Sequence, residues 1–131
     1  MEQQVKVLLV SSQRENKRTL LGVLRDLTVR PYVVSTWAQA KTLISRHEFS
    51  VVFCEELLPD GSYRDVFTFL REISNAAKFV LVLRDGEWEE YLEALRLGVE
   101  EVLRPPLMSI DVDLTLIHAF RRAVHGLEWQ A

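Results

Sequence analysis

Short, dense apolar runs alternate along this chain with longer stretches in which apolar residues recur every three or four positions, a pattern that predicts strands and helices in turn. Val5 to Val10 is almost continuously apolar and rich in β-branched residues, as suits a central parallel strand covered on both faces. From Gln13 to Leu27 the spacing of Leu20, Leu21, Leu24 and Leu27 among basic residues predicts an amphipathic helix, and Pro31 marks its boundary. Tyr32 to Thr36 reads as a second strand, and Ala38 to Arg46 as a helix that turns Ala40, Leu43 and Ile44 inward. Phe49 to Cys54 is a third strand, stopped by the turn Pro59-Asp60-Gly61. Ser62 then serves as N-cap with Asp65 three residues on, opening a helix whose stripe is Val66, Phe67, Leu70 and Ile73 and whose end falls near Asn75. Phe79 to Leu83 is a fourth strand with Arg84-Asp85-Gly86 as its exit turn. Trp88, Tyr91, Leu92 and Leu95 lie at i, i+3, i+4 and i+7 on a helix that stops near Gly98, and Glu100 to Leu103 is a fifth strand before Pro105-Pro106.

The last helix, from about Ile110 to Leu127, differs from the others. Its apolar positions, including Val112, Leu114, Leu116, Ile117 and Phe120, span an arc of about 200°, twice what a surface helix needs. Two readings fit: a helix wedged deeply between neighbours, or one with a second apolar face for a partner. Five strand and helix alternations with short connections predict one α/β domain over residues 1–131, a doubly wound three-layer α/β/α sheet rather than a barrel of eight units.

Composition narrows the chemistry. A net charge of -3 gives no electrostatic reason to expect nucleic acid, and the first apolar run is too short for a membrane span or a signal peptide. Cys54 is the only cysteine, flanked by Phe53 and Val52; it reads as a buried, inert thiol in a reducing, cytoplasmic setting. His47, His118 and His125 are too scattered to share a metal ion, and Ser11-Ser12-Gln13-Arg14-Glu15 has no glycine to admit a phosphate to the backbone. Trp37, Trp88 and Trp129 read as core or rim packing. The group that stands out is Glu55, a carboxylate where the third strand runs out, because ligands of open α/β sheets bind at the carboxyl ends of strands. Arg84 and Arg104 flank it, either to neutralise it or as solvated loop residues, while Asp60 and Asp85 are accounted for by turn chemistry.

The order of elements, Val7-Leu8-Leu9-Val10, the Leu58-Pro59-Asp60-Gly61 turn, the segment Ala94 to Gly98 and Pro106 together resemble the receiver domain of bacterial two-component response regulators over essentially the whole chain. The resemblance implies a five-stranded, flavodoxin-like sheet of order 2-1-3-4-5, with a cis bond before Pro106 typical of the family. It also implies departures from the family's phosphoryl-transfer site. The acceptor aspartate, four residues before the turn proline, is Glu55 here. The two acidic magnesium ligands are Ser11 and Ser12, the switch hydroxyl is Leu83, the phosphate-pairing lysine is Pro105, and the aromatic switch residue is Val102.

Neutral hydroxyls are poor ligands for a hard dication, and a glutamate oxygen is displaced by about an ångström from an aspartate's. The expectation is therefore a degenerate receiver that is not an enzyme, uses no cofactor, binds magnesium weakly or not at all, and acts through protein contacts. The expected partner, a second copy or another protein, meets the face made by the fourth helix, fifth strand and fifth helix, with Trp88, Val102, Leu116 and Phe120 at its surface. An output domain could follow in a longer chain, and no contact with nucleic acid or membrane is expected. The alternatives are a phosphoacceptor that still uses Glu55, or a small-ligand sensor in the vacated pocket of Ser11, Ser12, Glu55 and Leu83.

Overall fold

A computed structural model describes residues 5–74, 76–84 and 88–128, with side chains through residue 118. The expected exit turn at Asp85 and Gly86, the helix end at Asn75, and Trp129 lie outside the described residues, as do the side chains of Phe120 and His125. The elements in chain order are β1 (Val7–Val10), α1 (Arg14–Asp26), β2 (Tyr32–Val34), α2 (Trp37–Arg46), β3 (Val51–Glu55), β4 (Leu57–Leu58), β5 (Gly61–Ser62), α3 (Tyr63–Ile73), β6 (Lys78–Val82), α4 (Trp88–Leu97), β7 (Glu101–Leu103) and α5 (Ser109–Glu128). The main sheet is parallel with order β2-β1-β3-β6-β7, the flavodoxin-like order expected for its five strands. One feature absent from the sequence reading is the small antiparallel hairpin β4-β5, which pairs Leu57 with Ser62 around the Pro59-Asp60 turn.

Successive strand residues point to opposite faces of the sheet, so the continuous apolar runs feed two cores. Leu8, Val10, Val52, Cys54, Phe79 and Leu81 meet α2 and α3 on one side. On the other, Val7, Leu9, Val51, Phe53, Val80 and Val82 meet Leu20, Val23 and Leu24 of α1 and Val112 and Leu116 of α5. Each such side chain contributes about 1.5–3 kcal/mol by leaving water. The register places Val10 opposite Cys54, so the residue after β1 lies beside the last residue of β3.

Helix termini follow local chemistry. Ser62 caps α3 in a full capping box with Asp65, whose carboxylate accepts from Ser62 N at 2.9 Å. Gly61 leaves room for that carboxylate, since a Cβ there would sit 2.6 Å from Asp65 Oδ2. Thr36 caps α2 through Gln39 N. Asp60 is a correction to its reading as a turn residue alone, because its carboxylate also accepts from Trp37 N at 2.7 Å and Ala38 N at 3.0 Å, at the start of α2. α4 ends in a Schellman motif, with Gly98 at φ 102° and Val99 N donating to Ala94 O. α1 ends the same way, Thr28 N to Arg25 O and Val29 N to Leu24 O, but the left-handed residue is Thr28 at φ 62°.

Three stripes differ from the sequence pattern. Leu27 and Ile73 are exposed at the ends of theirs, and Val23 takes the buried place on α1. In α4 only Ala94 is buried, while Trp88, Leu92 and Leu95 face outward. A polar tether holds α4 to α3: the buried Tyr63 hydroxyl donates to Glu90 Oε2 at 2.5 Å, and Arg64 pairs with the same oxygen at 3.0 Å. Burial and the Glu90 carboxylate push the Tyr63 hydroxyl above its ordinary range, while Tyr63's hydrogen bond lowers Glu90.

Candidate functional site

The β1–β3 register brings the loop after β1 against the end of β3, and the Glu55 side chain reaches into that loop. Ser11 Oγ donates to Glu55 Oε2 at 2.5 Å. Ser12 N at 2.8 Å, Gln13 N at 3.1 Å and Ser12 Oγ at 3.4 Å all donate to Oε1. Glu55 is 5% exposed and Ser11 is fully buried. Gln13 is the N-cap position of α1 and has no side-chain cap of its own, so Glu55 supplies an anion where helix amides point outward. All the described donors to Glu55 are neutral. Arg84 and Arg104 do not pair with it: Arg104 lies over the rings of Trp88 and Tyr91 at 5.1 and 5.3 Å, and Arg84 donates its backbone N–H to Glu56 Oε1 at 2.9 Å.

A cleft of about 300 Å³ opens beside Glu55. Ser12 and Leu83 line it, with Leu57, Leu58, Pro59 and Val82 supplying an apolar wall. Of the positions expected at the vacated pocket, Ser12, Glu55 and Leu83 therefore line the cleft, while Ser11 is fully buried behind it against Glu55. Pro105 does not join them; it borders two neighbouring clefts, and its bond to Pro106 is cis. Gln13, Asn16 and Glu56 also line the first cleft and were missed. Gln13 and Asn16 lie just beyond the serines, where the spacing of the first helix could have suggested them. Cys54, immediately before Glu55, is fully buried, and burial followed by the neighbouring carboxylate pushes its thiol well above the usual range.

A second surface lies between α4, β7 and α5, a groove of about 670 Å³ bordered by Trp88, Tyr91, Val102, Met108 and Leu114. Trp88 is 62% exposed and Val102 is half-buried. Leu116 is a correction: it is 0% exposed, packed against the sheet with Val112, and cannot meet a partner. The same wide arc turns Ile110, Leu114 and Ile117 outward.

No protein-family model matches the sequence, and no curated protein matches it. Solved structures do match. A two-component response regulator from Clostridium difficile superposes with a TM-score of 0.82 at 22% identity, over 92% of this chain and 98% of that one. The signal receiver domain of a Luxo repressor protein from Vibrio parahaemolyticus gives 0.84 at 19% identity, over 95% and 97%. The chain has the receiver-domain fold. A third receiver domain, from a sensor histidine kinase of Pseudomonas aeruginosa, superposes at 0.77 with 18% identity over 88% of this chain and 97% of that one; it holds a magnesium ion in its active site cleft.

The cleft beside Glu55 fits such an ion poorly. Hard dications take several carboxylate or carbonyl oxygens, whereas the loop after β1 offers the neutral hydroxyls of Ser11 and Ser12, and all four described donors to Glu55 come from that same loop. Among the described residues no three His, Cys, Asp or Glu side chains converge on one point. No helix among them is long and apolar enough to cross a membrane.

Proposed function

We propose that this receiver-fold chain is a two-component signalling module that works through protein contacts and does not run aspartate and magnesium phosphoryl transfer. The observation that carries this reading is the bonding of Glu55. A phosphoacceptor needs an oxygen free for in-line attack and a cation to offset the charge of the incoming group. Glu55 instead has both oxygens engaged by Ser11, Ser12 and Gln13, and acts as a fixed anion joining β3 to the start of α1. Leu83 has no hydroxyl to follow a phosphoryl oxygen, and Pro105 has no charge to pair with one.

Signalling output then rests on the α4-β7-α5 face, where Trp88, Met108, Ile110 and Leu114 are all more than half exposed. Apolar exposure on that scale marks an interaction surface. Leu114→Glu places a charge on the face while leaving the core intact, so it abolishes self-association or partner capture in sedimentation and pull-down measurements at unchanged melting temperature. A variant that binds as the parent does would remove this face from the account.

A further inference from the structure

We propose that the cleft beside Glu55 binds a small uncharged aromatic molecule. Its volume, about 300 Å³, lies at the lower end of the range for small-molecule pockets and suits one or two fused rings. The wall formed by Leu57, Leu58, Pro59, Val82 and Leu83 is apolar, and Leu57 is 46% exposed on the short β4-β5 hairpin. The polar groups in the cleft are largely bonded to one another. Glu55 is engaged by the β1–α1 loop, Glu56 Oε1 accepts from Arg84 N, and Asn16 Nδ2 donates to Gln13 Oε1 at 2.6 Å. What the cleft offers a ligand is therefore apolar contact, and apolar ring surface is what such a wall would take from water.

Charge selects further. Two carboxylates, Glu55 and Glu56, line the cleft and disfavour an anion of any kind, phosphate included. Arg84 stands exposed at its edge and makes no ion pair among the described residues. Elsewhere in this chain guanidinium groups lie over aromatic faces: Arg64 over Tyr63, Arg71 over Phe67, and Arg104 over Trp88 and Tyr91, at 5.0 to 5.8 Å from the ring centres. No described ring covers Arg84, which lines the same cleft as Leu57 and Pro59, and a ligand ring there is the proposed partner of its guanidinium.

Indole, indole-3-acetate and tryptamine are the probes, as neutral, anionic and cationic forms of one ring system, titrated into the full chain and followed through its backbone amide NMR signals. Indole is expected to saturate with shifts confined to Ser12, Gln13, Leu58 and Arg84, and indole-3-acetate to bind at least about tenfold more weakly. Leu57→Glu, at an exposed position that leaves both cores intact, weakens indole by roughly tenfold or more, and Arg84→Gln weakens it by a smaller factor. The proposal is overturned if indole gives no saturable shifts at millimolar concentration, or if Leu57→Glu leaves its affinity unchanged. It is equally overturned if either charged probe binds more tightly than indole.

Discussion

The carboxylate of Glu55 accepts from two backbone amides and two hydroxyls, so truncating it leaves the start of α1 without its anchor and leaves the Ser11 hydroxyl only the Gln13 carbonyl, at 3.2 Å. Lost hydrogen bonds to a charged group cost about 1.5–3 kcal/mol. Glu55→Ala is therefore expected to lower the free energy of unfolding, read from urea denaturation, by that amount, and Glu55→Gln by less, since the amide retains one acceptor oxygen. A neutral or stabilising Glu55→Ala would mean that the carboxylate does not hold the loop. The position of Glu55 at a strand end was legible from the apolar run and the Pro59 turn. Its partners were not, because the bonds to Ser11 and Gln13 depend on pairing between β1 and β3, 44 and 42 residues apart in sequence. Asp60 carries a second residue-scale consequence. Backbone amides of Ala38 and Trp37 hold its carboxyl below the usual value, so its contribution is fully present above the unfolded-state pKa of about 3.9 and is lost as pH falls through the lower folded value. Asp60→Asn should thus be less stable at neutral pH, with the difference from the parent shrinking through the acid limb of a pH-dependent unfolding series; a constant difference down to the lowest pH would contradict the capping role.

Helix ends show what local sequence can and cannot announce. Gly98 marked the end of α4 because glycine tolerates the left-handed backbone that a Schellman motif requires. Thr28 occupies the equivalent place on α1 and carries no such signal, since a β-branched residue is disfavoured there. Thr28→Gly is accordingly expected to raise stability by about 0.5–1 kcal/mol, and Gly98→Ala to lower it by about 1 kcal/mol, both read from denaturant unfolding. A destabilising Thr28→Gly or a neutral Gly98→Ala would contradict this account of the two helix ends. The stripe of α4 shows the limit of periodicity. Spacing identified the helix through Trp88, Leu92 and Leu95, but the helix approaches the sheet through the small Ala94, so those three residues face outward. α5 shows the same limit, as one wide arc held both the buried Leu116 and the exposed Leu114.

At the scale of the molecule, the order of five parallel strands was legible because each buried strand is a continuous apolar run bounded by turn residues, and each connection is short. The cleft at their carboxyl ends was legible in part: Ser12, Glu55 and Leu83 were placed by their positions at strand ends, whereas Leu57, Leu58 and Pro59 came to line it through the unanticipated β4-β5 hairpin. This receiver fold combines a carboxylate held by neutral donors at one end of the sheet with an exposed apolar face along one side. The most direct test is intact-mass measurement after incubation with acetyl phosphate and Mg²⁺, for the parent chain and for Glu55→Gln. The account predicts that neither gains mass. A gain of one phosphoryl group by the parent that is absent from Glu55→Gln would contradict it.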